Sequence, residues 1–368
     1  MLSEGLTGVC DVHAVDFFQG SANPLEYISG RYVRSYLRAT SVHNGVNVHH
    51  VPQISPTFYL QLIRKVNQSL MSSAVRDIIR SNSIENVVGC FVVPPPSCDN
   101  LIFDIFDPNP EYWRSSARFA HGYAEEIAEM ETCYLGRADK VTAASTTLAM
   151  KYGVEDRAIV IPNGVNLQAY TTAARPAMRN RLGLNDHTAL VYSGHLEDIQ
   201  EASLLLESFR IARREMKIVL MVIGGGFGYD WLKRASTQER GIRLLGPVDP
   251  GDMPSYLSAA DIGLCPYAQF RSSWIPPGIL DELRVTDGPV LGGSVKIVEY
   301  SASGLPVVCT DQAAFNRIGF ENVVFSGFSA EDFAKSIRLA ADVPRRRPSR
   351  ISEYDMPNLI RKFQEVLQ

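Results

Sequence analysis

The sequence predicts a doubly wound α/β protein built from two domains. Three observations carry that reading. Twelve short, nearly continuous apolar runs fall into two sets of six along the chain. Strands buried on both faces read this way, because helices cover each side of a parallel sheet. The stretches between the runs have helical period, and strand–helix alternation argues a doubly wound fold. At 368 residues the chain is too long for one ordinary core and sufficient for two.

In the first half the apolar runs are Asp11–Phe18, Val46–Gln53, Asn86–Pro94, Leu101–Asp107, Asp139–Ser145 and Ala158–Gly164. The first begins after what reads as the end of a helix. Domains of this kind usually open with a strand and a glycine-rich turn, and the sequence reads as lacking both at its start. Asn163-Gly164 after a strand marks a turn and the expected domain break. A polar, alanine-rich linker then runs to about Asp186. The second half supplies Ala189–Gly194, Lys217–Gly226, Ile242–Val248, Asp261–Tyr267, Leu305–Thr310 and Asn322–Gly327. Between them, Leu205, Phe209, Ala212 and Met216 recur at i, i+4, i+7 and i+11, one stripe of a helix. The expected boundaries are 1–165, 166–347 and a terminal helix over 348–368 returning to the first domain.

Composition narrows the function. Hydrophobic residues make up 45% and charged residues 21%, as in a globular protein. The net charge of −4 offers no global attraction to nucleic acid, so no nucleic-acid partner is expected. No run of about 18 apolar residues is present to span a membrane, and the start lacks the layout of a secretory leader. The six cysteines form no Cys-x-x-Cys pair, and several lie inside apolar runs where a free thiol behaves as a small hydrophobe. A reducing, cytoplasmic setting follows as the expectation.

Ligands of open α/β sheets bind beyond the carboxyl ends of strands, and three such places stand out in the second half. Gly292-Gly293-Ser294 leads into a helix starting near Val295. Amides at a helix start attract anions, and Lys296 adds a full charge there. Lys296 and Glu299 share a face at i, i+3, which suits a diphosphate and ribose hydroxyls equally with a solvated ion pair. Val222 to Gly228 ends a strand in Gly224, Gly225 and Gly226, which lets a ligand approach the backbone. It does not match G-x-G-x-x-G, and a simple turn explains it as well. Tyr192-Ser193-Gly194-His195 ends another strand and offers amides and an imidazole; a lone histidine is more often structural.

Taken in order, IPNGVN at 161–166, YSGHL at 192–196, VIGGG at 222–226, LLGPV to GLCPY at 244–267 and KIVEYSASGLPVV at 296–308 resemble the family-4-like GT-B glycosyltransferases. The Lys-x-x-Glu-Tyr form is similar to that of teichuronic-acid glycosyltransferases and, more distantly, the xanthan glucuronosyltransferase. The resemblance spans roughly Leu101 to Val324. It implies α/β architecture of GT-B type: two facing Rossmann-like doubly wound domains with an interdomain cleft. It further implies a nucleotide-sugar donor held mainly by the C-terminal domain, no metal and no separate cofactor, a UDP-sugar being favoured by family habit. Donor contacts then fall to Gly194, His195, Gly224, Gly225, Lys296, Glu299 and Tyr300, with Arg271 as a further cation. The chain departs from the family at Leu291, where a second glutamate is usual, and at His195 and Gln200, where arginine and lysine are usual.

Glycosyl transfer needs charge stabilisation of the leaving diphosphate and, with inversion, a carboxylate base for the acceptor hydroxyl. Asp104 and Asp107, near the end of the Leu101–Asp107 run, are the candidate catalytic carboxylates. Alternation would put them on opposite faces, with Asp107 at the strand end toward the cleft; capping of the next turn is the competing role. Glu131 is a candidate for orienting the base. The expected acceptor is a hydroxyl of a glycan or lipid-linked saccharide in cell-surface polysaccharide or glycolipid synthesis. Arg345, Arg346, Arg347 and Arg350 offer contact with anionic lipid at the inner membrane face, against a solvated loop, which is the favoured reading. A nucleotide-sugar 2-epimerase and a non-catalytic nucleotide-binding partner protein are the alternative functions, because both can share the architecture.

Overall fold

A computed structural model describes residues 2–18, 40–53, 61–90, 93–107, 110, 122–184, 186–196, 199–267, 295–311, 315 and 317–368. Arg271, Leu291 and the 292–294 turn lie outside the described residues.

The C-terminal half is a six-stranded, all-parallel sheet of β8 (Thr188–His195), β9 (Ile218–Gly225), β10 (Ile242–Gly246), β11 (Ile262–Cys265), β12 (Val307–Thr310) and β13 (Val323–Ser326). Its spatial order is β10-β9-β8-β11-β12-β13. The order reverses between β8 and β11, which opens a crevice at their carboxyl ends, the usual ligand position in such sheets. Side-chain alternation explains the continuous apolar runs. Ala189, Val191, Met221, Ile223, Cys265 and Cys309 pack into one core layer. Leu190, Tyr192, Leu220, Val222, Leu264 and Val308 pack into the other. Successive residues point to opposite faces and both faces are covered, so no polar position interrupts the strand. Helix Ile199–Ala212 buries Leu205, Phe209 and Ala212, the stripe expected from their spacing.

The N-terminal half holds one mixed sheet and one parallel sheet. One orders β1 (His13–Phe18), β3 (Val46–Pro52) and β2 (Thr40–His43); the other orders β4 (Asn86–Gly89), β5 (Asn100–Ile105), β6 (Lys140–Ala143) and β7 (Ala158–Val160). β1 pairs parallel with β3 over His13↔Asn47 to Phe18↔Pro52, so His13–Phe18 is a sheet strand. Residues 19–39, where its turn would follow, lie outside the described residues. β2 and β3 form an antiparallel hairpin, which the apolar runs did not reveal. Its signal was Asn44-Gly45, both at positive φ (50° and 83°), the dipeptide a tight two-residue hairpin demands.

The terminal helix α11 (Met356–Leu367) buries Leu359, Phe363 and Val366. It packs on the N-terminal half. Lys140 Nζ donates to Val366 O at 2.7 Å and Lys362 Nζ to Val160 O at 2.7 Å. At the crossover, Val165 N donates to Tyr354 O and Met356 N to Val165 O, each at 2.9 Å. All six cysteines are free thiols, and Cys265 and Cys309 lie paired in register on β11 and β12.

Candidate functional site

The crevice is shaped by glycines that bring backbones close. Gly194 and Gly224 are register partners on β8 and β9, at φ +122° and +128°. A Cβ on Gly224 would lie 2.0 Å from Gly194 O, and one on Gly226 2.4 Å from Leu196 O. Leu196 N donates to Gly225 O at 2.8 Å, knitting the two strand ends together. The glycine run is therefore required first by packing of one strand end on the other. Gly225 differs, since a Cβ there would meet nothing within 4 Å.

Lys296 enters on α9 (Val295–Ala302), a helix between β11 and β12. Its side chain crosses the β8 end, so that a Cβ on Gly194 would sit 2.8 Å from Lys296 Cε. The ammonium lies over two rings, 5.5 Å from the Tyr192 centroid and 5.3 Å from that of Tyr267. Tyr192 belongs to β8 and Tyr267 follows β11, so Lys296 occupies the topological switch point.

Glu299, one turn on, does not pair with Lys296. Its Oε1 accepts from Tyr170 Oη at 3.1 Å. Burial raises its carboxyl above the usual range, against the lowering effects of the Tyr170 hydrogen bond and the Lys296 charge. Tyr170 is itself tethered, because Arg347 donates to the carbonyls of Tyr170 and Leu167 and through Nε to Ala302 O at 2.7 Å.

Tyr300 is corrected from a donor contact to a buried support. It is fully buried, and its hydroxyl accepts from Ser193 N at 2.7 Å and Ser193 Oγ at 3.1 Å. Its ring lies where a Cβ on Gly263 would come within 2.3 Å. It thus locks α9 onto β8 and β11, and the hydroxyl has no face toward the crevice. Part of the arginine tract is engaged within the chain. Arg345 donates to Ala260 O at 2.7 Å, Arg347 holds the carbonyls named above, and Arg350 pairs with Glu353 at 2.8 Å. Arg345 and Arg347 thus supply donors to backbone carbonyls, including Ala302 O at the end of α9, that the helix itself leaves unpaired.

On the N-terminal side β5 ends at Ile105, so Asp107 stands two residues past the strand. Asp104, on β5, accepts from Thr142 Oγ1 at 2.6 Å, and burial raises its pKa against that hydrogen bond. Burial also raises that of Asp107. Glu131 accepts from Tyr152 Oη at 2.9 Å. A cavity of about 410 Å³ lies between the halves, walled by Ser145, Thr147 and Asn163 on one side, Val298 and Arg317 on the other, and Tyr354 and Lys362 from the terminal segment. The neighbour of Val298 on α9 is Glu299, so this helix borders both crevice and cavity. His195 is exposed at the β8 end, where its carbonyl accepts from Tyr192 Oη at 3.1 Å. Among the described residues no cluster of three His, Cys, Asp or Glu could hold a metal ion, and no helix is long and apolar enough to cross a membrane.

The sequence reading missed Tyr170, Tyr192 and Tyr267 as site residues. Tyr192 stood in the quoted motif, but nothing local marks an aromatic as a lysine's neighbour from 104 residues away. It also missed a polar network on the first sheet. His13 Nδ1 and His49 Nε2 lie 2.8 Å apart, and His50 bridges Asp16 (3.0 Å) and Ser41 (2.9 Å).

Comparison with known proteins bears on the fold. Residues 187–342 match the family of glycosyl transferases group 1. Among curated relatives, a phosphatidyl-myo-inositol mannosyltransferase of Mycobacterium tuberculosis is 26% identical over 179 residues, covering 48% of this chain and 41% of its own. A D-inositol 3-phosphate glycosyltransferase of Thermobispora bispora is 24% identical over 223 residues, covering 57% and 48%. The matches thus span less than half the length of these relatives. Among solved structures, HepE of Anabaena in complex with UDP and glucose superposes with a TM-score of 0.66 at 14% identity, over 100% of this chain and 94% of its own. Sucrose-phosphate synthase of Thermosynechococcus elongatus gives 0.65 at 15%, over 99% and 87%. The fold is that of a GT-B glycosyltransferase.

Proposed function

We propose that the protein is a glycosyltransferase that moves a sugar from a nucleoside-diphosphate donor, a UDP-sugar in the favoured reading, to a hydroxyl of a glycan or lipid-linked acceptor. One observation carries the reading: the Lys296 ammonium stands at the switch-point crevice with Glu299 one helical turn behind it. Lys296 and the first amides of α9 would neutralise the departing diphosphate, a preorganised electrostatic contribution. Glu299, held by Tyr170, would accept the ribose hydroxyls. Gly194, Gly225 and His195 would line the donor's approach, and Arg271 would add a cation. Asp107 would take the acceptor proton as general base, its raised pKa making it the stronger base, with Asp104 behind it on the strand. UDP and UDP-glucose complexes of HepE, and the sugar-transferring names of the curated relatives, support the donor class. The reading places the work in cell-surface polysaccharide or glycolipid assembly, on the cytoplasmic side.

The test is calorimetric titration with UDP, GDP, ADP and CMP, followed by turnover with the matching nucleotide sugars. Lys296→Ala is expected to lower transfer more than tenfold, consistent with loss of one charge-assisted contact of about 1.5–3 kcal/mol. Unchanged kinetics would remove Lys296 from the mechanism. A product whose sugar is inverted at C2, free or still nucleotide-linked, formed with no glycosylated acceptor, would instead mark an epimerase.

A further inference from the structure

A lysine ammonium on a four-carbon stem is a mobile point charge, so a lysine that must meet a diphosphate needs something to hold it. An acidic partner would hold it, but would also cancel its charge and compete with phosphate oxygens. Among the described residues Lys296 makes no ion pair and no side-chain hydrogen bond; its neighbours are the Tyr192 and Tyr267 rings and Gly194. Both rings lie within the roughly 6 Å at which an aromatic face attracts a cation.

The rings are themselves anchored. Tyr192 is 1% exposed, and its hydroxyl donates to His195 O. The Tyr267 ring packs on Phe315 at 4.9 Å, while its carbonyl accepts from Thr310 Oγ1 at 2.9 Å. Tyr192 stands on β8 and Tyr267 just past the end of β11, so the two rings flank the ammonium from both sides of the switch point. An aromatic face attracts the charge without neutralising it, so the ammonium keeps its full charge and the N–H groups turned away from the rings for a phosphate.

We infer that Tyr192 and Tyr267 form an aromatic clamp that positions Lys296 for the donor diphosphate, with Tyr267 acting as a positioning residue through Lys296. The inference rests on the donor-binding reading given above.

The test is a double-mutant cycle on the full chain, read by calorimetric UDP binding and by the KM and kcat of transfer. Tyr267→Phe keeps the ring and is expected to bind UDP within about twofold of wild type. Tyr267→Leu is expected to bind about threefold to tenfold more weakly, the range of a single cation–π contact. In a Lys296→Met background the same Leu change is expected to have no further effect on UDP binding, since the group it positions is gone. Should Tyr267→Leu fail to fold, Tyr267→Met replaces it. The clamp is overturned if Leu or Met binds UDP like wild type, if Phe fails to rescue, or if the loss persists undiminished in the Lys296→Met background. Absence of UDP binding by the wild type would instead overturn the donor reading itself, and the clamp with it.

Discussion

Adding one methyl group at Gly194 and, separately, at Gly224 separates the crevice's chemistry from its architecture. Both glycines sit at φ values L-residues rarely adopt, +122° and +128°, so each alanine carries strain of roughly 1–3 kcal/mol. The neighbours differ. At Gly194 the new carbon meets Lys296 Cε at 2.8 Å, the far end of a flexible side chain, which moves aside. At Gly224 it meets Gly194 O at 2.0 Å and Gly194 C at 2.8 Å, backbone that cannot move without breaking the β8–β9 register. Each buried backbone hydrogen bond lost there costs a further 1–3 kcal/mol, roughly. Gly224→Ala should therefore lose about 3–5 kcal/mol in all, about 10 °C in Tm at roughly 2–4 °C per kcal/mol for a domain of this size. Gly194→Ala should lose only the strain but push Lys296 off the crevice axis, weakening UDP binding by about tenfold or more as a charged contact of about 1.5–3 kcal/mol is lost. Urea unfolding and calorimetry with UDP read the two effects separately. Wild-type UDP affinity in a folded Gly194→Ala protein would refute the placement of Lys296 at the phosphate site. Equal stability of Gly224→Ala and wild type would refute the backbone contact.

Three further outcomes follow from the same geometry. Asp107→Asn should leave donor affinity intact while slowing transfer about a hundredfold or more, the usual weight of a general base; a folded, fully active variant would exclude Asp107 as base. For Glu299 the carboxyl is raised by burial, so its favourable contribution to stability is complete below about pH 4.5 and is lost as pH rises through the folded value. Glu299→Gln should accordingly be at least as stable as wild type at pH 7, with the advantage vanishing near pH 4, yet bind UDP about tenfold more weakly; a pH-independent stability difference would contradict this. For His49 burial, followed by the His13 and His50 charges, lowers the pKa. Its contribution is then full above about pH 6.5 and lost as pH falls through the folded value, so His49→Gln should flatten the acid limb of an unfolding profile, and an unchanged limb would count against the His13–His49 contact.

The strand runs, the helical stripes and the strand-end glycines were legible because each is a local pattern whose period reports which faces are buried. Every one of the twelve apolar runs overlaps a strand of the structure. The β2–β3 hairpin was equally local, written in Asn44-Gly45, but an exposed edge strand such as Thr40–His43 carries no apolar run to draw notice. Lys296 was legible as a charge at a helix start. Its surroundings were not, since Tyr192, Tyr267 and Gly194 reach it only once β8 and β11 stand side by side. The same holds for Glu299, whose partner Tyr170 lies in the stretch read as linker. Tyr300 looked like a motif residue facing the donor, and only the helix's rotation on the sheet turned it toward Ser193. Arg345 and Arg347 looked like a surface patch until the fold brought Ala260, Ala302 and Tyr170 carbonyls to them. The sequence by itself determined the elements, their layering and the charge brought to the crevice. The tertiary structure decided which side chains surround that charge, because contacts between residues a hundred positions apart are set by strand order, and strand order is a property of the whole sheet.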